Sequence, residues 1–216
     1  MILNSLVNYY EKLVEQGKIA EKGWSDVNVS YALWIDKDGQ LVHLTSLKVS
    51  NGKKQMPIKL KVPEQIKRSS GISPNFLCDN STYIIGTDNK GNKERSIQCF
   101  QSSAELHRSM LSESIGDCAK ALKKYWETWN PRTSEEHPII RPYIDDIQKG
   151  ANIVFIYDGK YVHDDPEIRQ IWANYNRSDT QSDLSVCMVP GKKAIIAGLH
   201  PSIKGIRNAV SKKMQQ

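Results

Sequence analysis

The hydrophobic period of this chain changes near residue 93, and that change limits the fold classes open to it. Before it, Val27, Val29, Tyr31, Leu33 and Ile35 alternate with polar or small residues, the two-residue period of a half-buried strand. Asp36-Lys37-Asp38-Gly39 predicts a hairpin turn, its Asp-Gly pair suited to the positive φ of a tight turn, and Leu41 to Leu47 returns as the partner strand. Asn51-Gly52 predicts a second turn. Ile58, Leu60 and Val62 then alternate with Lys59 and Lys61, a strand with one apolar and one cationic face, and Pro63 ends it. Tyr83-Ile84-Ile85-Gly86 reads as a short buried strand.

From Lys93 to Trp129 the spacing is helical. Ile97, Phe100, Ala104, Leu106, Met110 and Leu111 share one broad face, and Cys118, Ala121, Leu122, Tyr125 and Trp126 form a second stripe that Asn130-Pro131 closes. Tyr143, Ile144 and Ile147 predict a short helix ending at Gly150. Ile153 to Tyr157, the turn Asp158-Gly159 and Tyr161-Val162 predict a hairpin. Asp165-Pro166 predicts a capped helix start, with Ile168, Ile171, Trp172 and Tyr175 on its buried side. Two strands, Leu184 to Val189 and Ala194 to Leu199, follow around Pro190-Gly191. At the other end Ile2, Leu3, Leu6, Val7, Tyr10, Leu13 and Val14 make an amphipathic helix stopped by Gly17. The class is therefore α+β: an N-terminal helix packed on an antiparallel β-meander, a central helical cluster, then further short strands and a helix near the C-terminus. We treat residues 1–216 as one region, with a subdivision into a β-rich part, 1–92, and a mixed part, 93–216.

Composition narrows the function. With 216 residues and 39% apolar content the chain can bury a real core, and no apolar run approaches the roughly 20 residues a membrane span needs. The first residues lack the basic start and continuous apolar stretch of a secretory signal. Cys78, Cys99, Cys118 and Cys187 are scattered, with no C-x-x-C pair or nearby histidine, as in the reduced, mostly buried thiols of a cytoplasmic protein.

Signs of catalysis are few. His163-Asp164-Asp165 and Asp145-Asp146 are the only acidic clusters that suggest a divalent ion. Asp165 is explained as a helix cap, and side chains of adjacent helical residues diverge by about 100°. No nucleophile elbow, zinc-binding helix or phosphate-binding glycine loop occurs. We expect no catalytic residue, no metal and no cofactor.

Charge is more informative. The chain carries a formal +6, and the segment Lys48 to Arg68 holds seven cations (Lys48, Lys53, Lys54, Lys59, Lys61, Lys67, Arg68) against Glu64 alone. The rest is neutral, with 23 bases and 23 acids. Positive charge concentrated this way suits a polyanion, and lysines at Lys53, Lys54, Lys59 and Lys61 contact phosphates without reading sequence. The same lysines would also guard an edge strand. The segment runs into Lys67-Arg68-Ser69-Ser70-Gly71-Ile72-Ser73-Pro74-Asn75-Phe76-Leu77. There Gly71 permits close backbone approach, and Asn75 either meets a base edge or satisfies its own backbone.

This stretch, continuing through Cys78-Asp79-Asn80, Tyr83 and Gly86, resembles the signature of the large subunit of the type I-C CRISPR surveillance complex, Cascade (the Csd-type, Cas-eight-c family). Met1-Ile2-Leu3 with Tyr9-Tyr10-Glu11, the strands around Ile35 to Gly39, and Leu199-His200-Pro201-Ser202-Ile203-Lys204-Gly205-Ile206 are similar to other parts of that family. The resemblance implies a non-catalytic protein of the cytoplasm. Its partners would be double-stranded target DNA, guide RNA, the other type I-C Cascade subunits and a recruited helicase-nuclease. It implies recognition of the protospacer-adjacent motif on duplex DNA, a division of labour parallel to other guided effectors. Side-chain chemistry then assigns motif reading to Lys67, Arg68, Ser70, Gly71 and Asn75, phosphate contact to Lys53, Lys54, Lys59 and Lys61, and guide or subunit contact to Lys204 and His200, with the shaping of a turn the favoured role for His200. Members of the family are far longer, which leaves two readings open: a fragment of a full-length subunit, or a short relative that docks on Cascade subunits as a decoy and inhibits interference.

Overall fold

A computed structural model describes residues 2–52, 54–68, 70–88, 90–178, 184–186, 191 and 193–195. In chain order the elements are α1 (Ile2–Glu15), β1 (Trp24–Val29), β2 (Tyr31–Ile35), β3 (Leu41–Ser46), β4 (Lys48–Asn51), β5 (Lys54–Pro63) and β6 (Asp79–Asn80). There follow α2 (Ser81–Ile84), α3 (Lys93–Met110), α4 (Asp117–Thr128), α5 (Ile144–Ile147), β7 (Asn152–Tyr157), β8 (Lys160–Tyr161), α6 (Pro166–Ser178), β9 (Leu184–Val186) and β10 (Lys193–Ile195). The chain is α+β, as its periodicity implies.

The alternating run from Val27 to Ile35 is two strands, because Ser30 breaks it. The Ser30 amide donates to Asn152 O and its carbonyl accepts from the Leu47 amide, so β1 and β2 diverge into different sheets. β1, β5 and β4 form a three-stranded antiparallel sheet. β2 lies at the centre of a second, five-stranded sheet, ordered β3-β2-β7-β6, with β8 on the far end of β7. Its pairing with β7 is parallel, Tyr31 opposite Ile153 through Ile35 opposite Tyr157. The sheet is therefore mixed, which corrects the simple antiparallel meander.

Both faces of β2 and β7 are covered, as a central parallel pair requires. Tyr31, Leu33, Ile35, Ile153 and Phe155 point into the helical side, where Phe100, Leu122, Tyr125 and Trp126 pack on them. Ala32, Val154 and Ile156 point the other way, onto Val29 and Val62 of the β1–β5 sheet. The molecule thus layers helices, mixed sheet and second sheet. The Asp36–Gly39 turn closes against α4: a Cβ on Gly39, whose φ is +74°, would lie 2.4 Å from the Tyr125 nitrogen. At the far end Glu167 accepts from the Ile115 and Gly116 amides, both at 2.9 Å, tying α6 to the start of α4. Asp165 caps α6 through the Glu167 and Ile168 amides.

Three further expectations need correction. Tyr83 to Gly86 are buried but not a strand: Tyr83 and Ile84 end the helix α2 and Ile85-Gly86 turn out of it, with Asn80 Oδ1 accepting from the Thr82 amide as the N-cap and the Ser81 carbonyl accepting from Ile85 and Gly86. A short apolar run fits either element, and the cap decides. The stripe of α1 does not dock on the sheet. The helix has no buried residue, and Ile2, Leu3, Leu6, Val7 and Tyr10 are exposed. On α6, Ile168 and Trp172 are buried but Tyr175 is exposed. β9 and β10 fall within or beside the two expected strands and pair antiparallel; the rest of Leu184–Val189 and Ala194–Leu199 lies outside the described residues.

Candidate nucleic-acid interface

The cationic face of β5 forms as its alternation predicts. Lys59 and Lys61 are exposed, opposite Asn28 and Asp26 in register, while Leu60 and Val62 turn to the apolar layer. Lys61 Nζ reaches back to the Gly17 carbonyl at 2.8 Å. Lys54 is exposed beside the Asn51-Gly52 turn, and Lys67 is exposed where the loop leaves the sheet. Lys53 lies outside the described residues, as do His200 and Lys204.

Not every cation of the segment faces solvent. Lys48 forms an ion pair with Asp146, whose carboxylate also accepts from the Tyr31 hydroxyl at 2.5 Å. Lys48 and Tyr31 favour the charged form of that acid and hold the Asp146 carboxyl below the usual carboxylate range, although burial alone would raise it. Arg68 is likewise committed. Its Nη1 donates to Asp79 Oδ1 at 2.9 Å, its Nη2 bonds to Asp79 Oδ2, its Nε donates to the Ser73 carbonyl, and its guanidinium lies 4.0 Å from the centroid of the Tyr83 ring. Such a fork is the strong, directional form of ion pairing.

Asp79 is the hub of the loop. Only 1% exposed, it also accepts from the Asn75 amide at 2.8 Å and the Asn80 amide at 2.7 Å. Burial pushes its carboxyl up, while the guanidinium and the two amides pull it down. Asn75 is 5% exposed, and its Oδ1 accepts from the Ile66 amide at 2.8 Å, so its side-chain carbonyl joins the outgoing and returning limbs of the loop. The Ser73 amide donates to the Tyr83 hydroxyl at 3.3 Å. The return ends at Leu77, at φ +61°, whose backbone amide donates a hydrogen bond to His107 Nε2 at 3.0 Å. His107 Nδ1, 2.7 Å from the Ser103 carbonyl, is therefore the protonated ring nitrogen, and full burial lowers the imidazole pKa to about 4.

With its interior so occupied, the loop turns Lys67, Ser70 and Gly71 outward. Gly71 has φ +80° and open space where a Cβ would be, and Arg95 of α3 steadies the tip by donating to its carbonyl at 3.1 Å. The inner side of the loop covers a cavity of about 240 Å³ lined by Ile72, Pro74, Phe76, Leu106, Met110 and Trp172. Sequence reading named the outward residues, quoted Asp79 and Tyr83 only as part of the family signature without a role, and missed Arg95 and His107. Asp79 carried a signal: after Glu64 it is the next acid in a cation-rich stretch, and such an acid has an arginine to meet.

The other candidate chemistry disperses. Asp165 caps α6 and Asp146 pairs with Lys48. Among the described residues no group of three or more His, Cys, Asp or Glu could hold a metal ion. Cys78, Cys99 and Cys118 are buried and unbridged, and burial pushes the Cys118 thiol up to about 12; Cys187 lies outside the described residues. Among the described residues no helix is long and apolar enough to cross a membrane.

Comparison with curated proteins found no match. The family model described as CRISPR-associated protein (Cas_Csd1) matches residues 6–215, a span that includes the basic strand, the clamped loop and the helical core. The chain belongs to this Csd1 family of CRISPR-associated proteins.

Proposed function

We propose that this chain is a non-catalytic large-subunit module of a type I-C Cascade that binds double-stranded DNA and reads the protospacer-adjacent motif. The observation that carries this reading is the continuity of β5 with the loop. Exposed Lys54, Lys59 and Lys61 run directly into a shaped turn that exposes Lys67, Ser70 and Gly71. Lysines supply affinity for any duplex, whereas a rigid turn with backbone donors and acceptors supplies discrimination. Arg68 and Asn75, turned inward, serve by holding the turn's shape. The partners in this reading are target DNA, guide RNA, the other Cascade subunits and a recruited helicase-nuclease, in the cytoplasm. Duplex binding by the assembled complex, measured against salt, tests it. Lys59→Ala and Lys67→Ala should each weaken binding and reduce the salt slope by about 1. Salt-independent binding, or full affinity in both variants, would remove the DNA-binding role.

A second reading is favoured by the uncovered apolar stripe of α1. In it, the chain docks on Cascade subunits without supporting target binding, a decoy that inhibits interference. Pull-down with those subunits followed by a duplex-binding assay separates the two, since a decoy assembles and blocks target binding.

A further inference from the structure

We infer that Asp79 is a positioning residue for motif recognition: its carboxylate, through Arg68 and Asn75, sets the shape of the loop that meets DNA while touching none itself. The inference rests on the DNA-reading function proposed above and deepens it.

Four donors converge on this one buried group. They come from both limbs of the loop and from the strand beyond: two guanidinium nitrogens of Arg68 on the outgoing limb, the Asn75 amide on the return, and the Asn80 amide at the start of α2. Arg68 extends the tie to the Ser73 carbonyl, and the Tyr83 hydroxyl takes the Ser73 amide from below. Asn75 closes the remaining side by accepting from Ile66. The Ile66 amide, the Arg68 guanidinium, both backbone groups of Ser73 and the amide and Oδ1 of Asn75 are thus bonded inside the loop, while Lys67, Ser70 and Gly71 face out. No exposed cation needs Asp79 for its charge. The acid therefore controls geometry, while the exposed lysines control electrostatic affinity. An asparagine at 79 keeps the size but not the function. Its NH₂ faces donors where an oxygen had accepted, so the fork and one limb lose their anchor.

The separation of geometry from charge gives the test. The chain assembled with its complex is offered duplexes with a randomised segment beside a constant target, and enrichment among bound sequences measures motif preference. Salt dependence is measured on one fixed duplex. Asp79→Asn should reduce enrichment about tenfold, the scale of one lost base discrimination, while the salt slope does not fall, because the change removes an acid and frees Arg68 rather than removing a cation. Hydrogen exchange at the Asn75 and Ile66 amides should quicken in the same variant. Tyr83→Phe keeps the ring under Arg68 and removes only the hydroxyl, so it should give a smaller loss of the same kind, and it carries the test if Asp79→Asn does not fold. Folded variants with unchanged enrichment overturn the positioning role and leave the DNA-reading function standing. A wild-type complex that binds duplex with no enrichment at all overturns both.

Discussion

His107 shows how a single residue of the core governs the loop. It sits between Phe76 and Trp126, donates to Ser103 and accepts from the left-handed Leu77, so it must stay neutral to do both. Burial lowers its pKa from 6.5 to about 4 in the folded chain. As pH falls below 6.5 the unfolded chain takes up a proton that the folded chain refuses. Stability present above that value is therefore lost progressively until about pH 4. The loss should be on the order of 3 kcal/mol, since each pKa unit is worth about 1.4 kcal/mol. Urea unfolding across this window checks it, and His107→Gln should flatten that part of the profile. At this scale the sequence was half legible. The cations were plain, but which of them remain available depends on their acids: Asp146 neutralises Lys48 across 98 residues, and Asp79 takes Arg68 across 11. No local pattern carries the first pairing, and only the nearness of an acid to a cation-rich stretch hints at the second. Asn75 illustrates the same limit, since a donor-acceptor amide suits a base edge and a loop interior equally, and only burial decides.

At the scale of elements, local chemistry was read well and partnership poorly. Turns at Asp36–Gly39 and Asn51–Gly52, the α3 and α4 helices and the capped start of α6 follow from residues within a few positions. The parallel pairing of β2 with β7 joins segments far apart in sequence, and alternation says nothing about a strand's neighbour. Likewise an amphipathic stripe states that a face is apolar, not what covers it, which is why α1 was expected on the sheet. Two outcomes follow from these placements. Gly39→Ala should destabilise the chain by about 1–3 kcal/mol in chemical denaturation, because the new methyl meets the Tyr125 backbone and the positive φ disfavours it. Leu6→Glu on the exposed stripe should change the stability of the isolated chain by no more than about 0.5 kcal/mol. If α1 is a docking face, the same change should weaken pull-down of the other complex subunits.

For the whole molecule, three layers divide the labour. The helices and mixed sheet hold the base of the loop through His107 and α2, the second sheet carries the lysines outward, and the loop bridges the two. The net charge of the chain is thus converted into a directional surface, with four exposed lysines along one strand and its exit. The motif-reading function and the positioning role of Asp79 both require that surface to meet duplex DNA. The most direct measurement is the salt dependence of duplex binding by the assembled complex, with Lys54, Lys59, Lys61 and Lys67 changed together to Ala. Affinity should fall steeply with salt in the wild type. In the variant the slope of log K against log salt should drop by about 4, near 0.9 for each phosphate no longer neutralised. An unchanged slope and affinity in the variant would contradict a DNA-binding role for this surface.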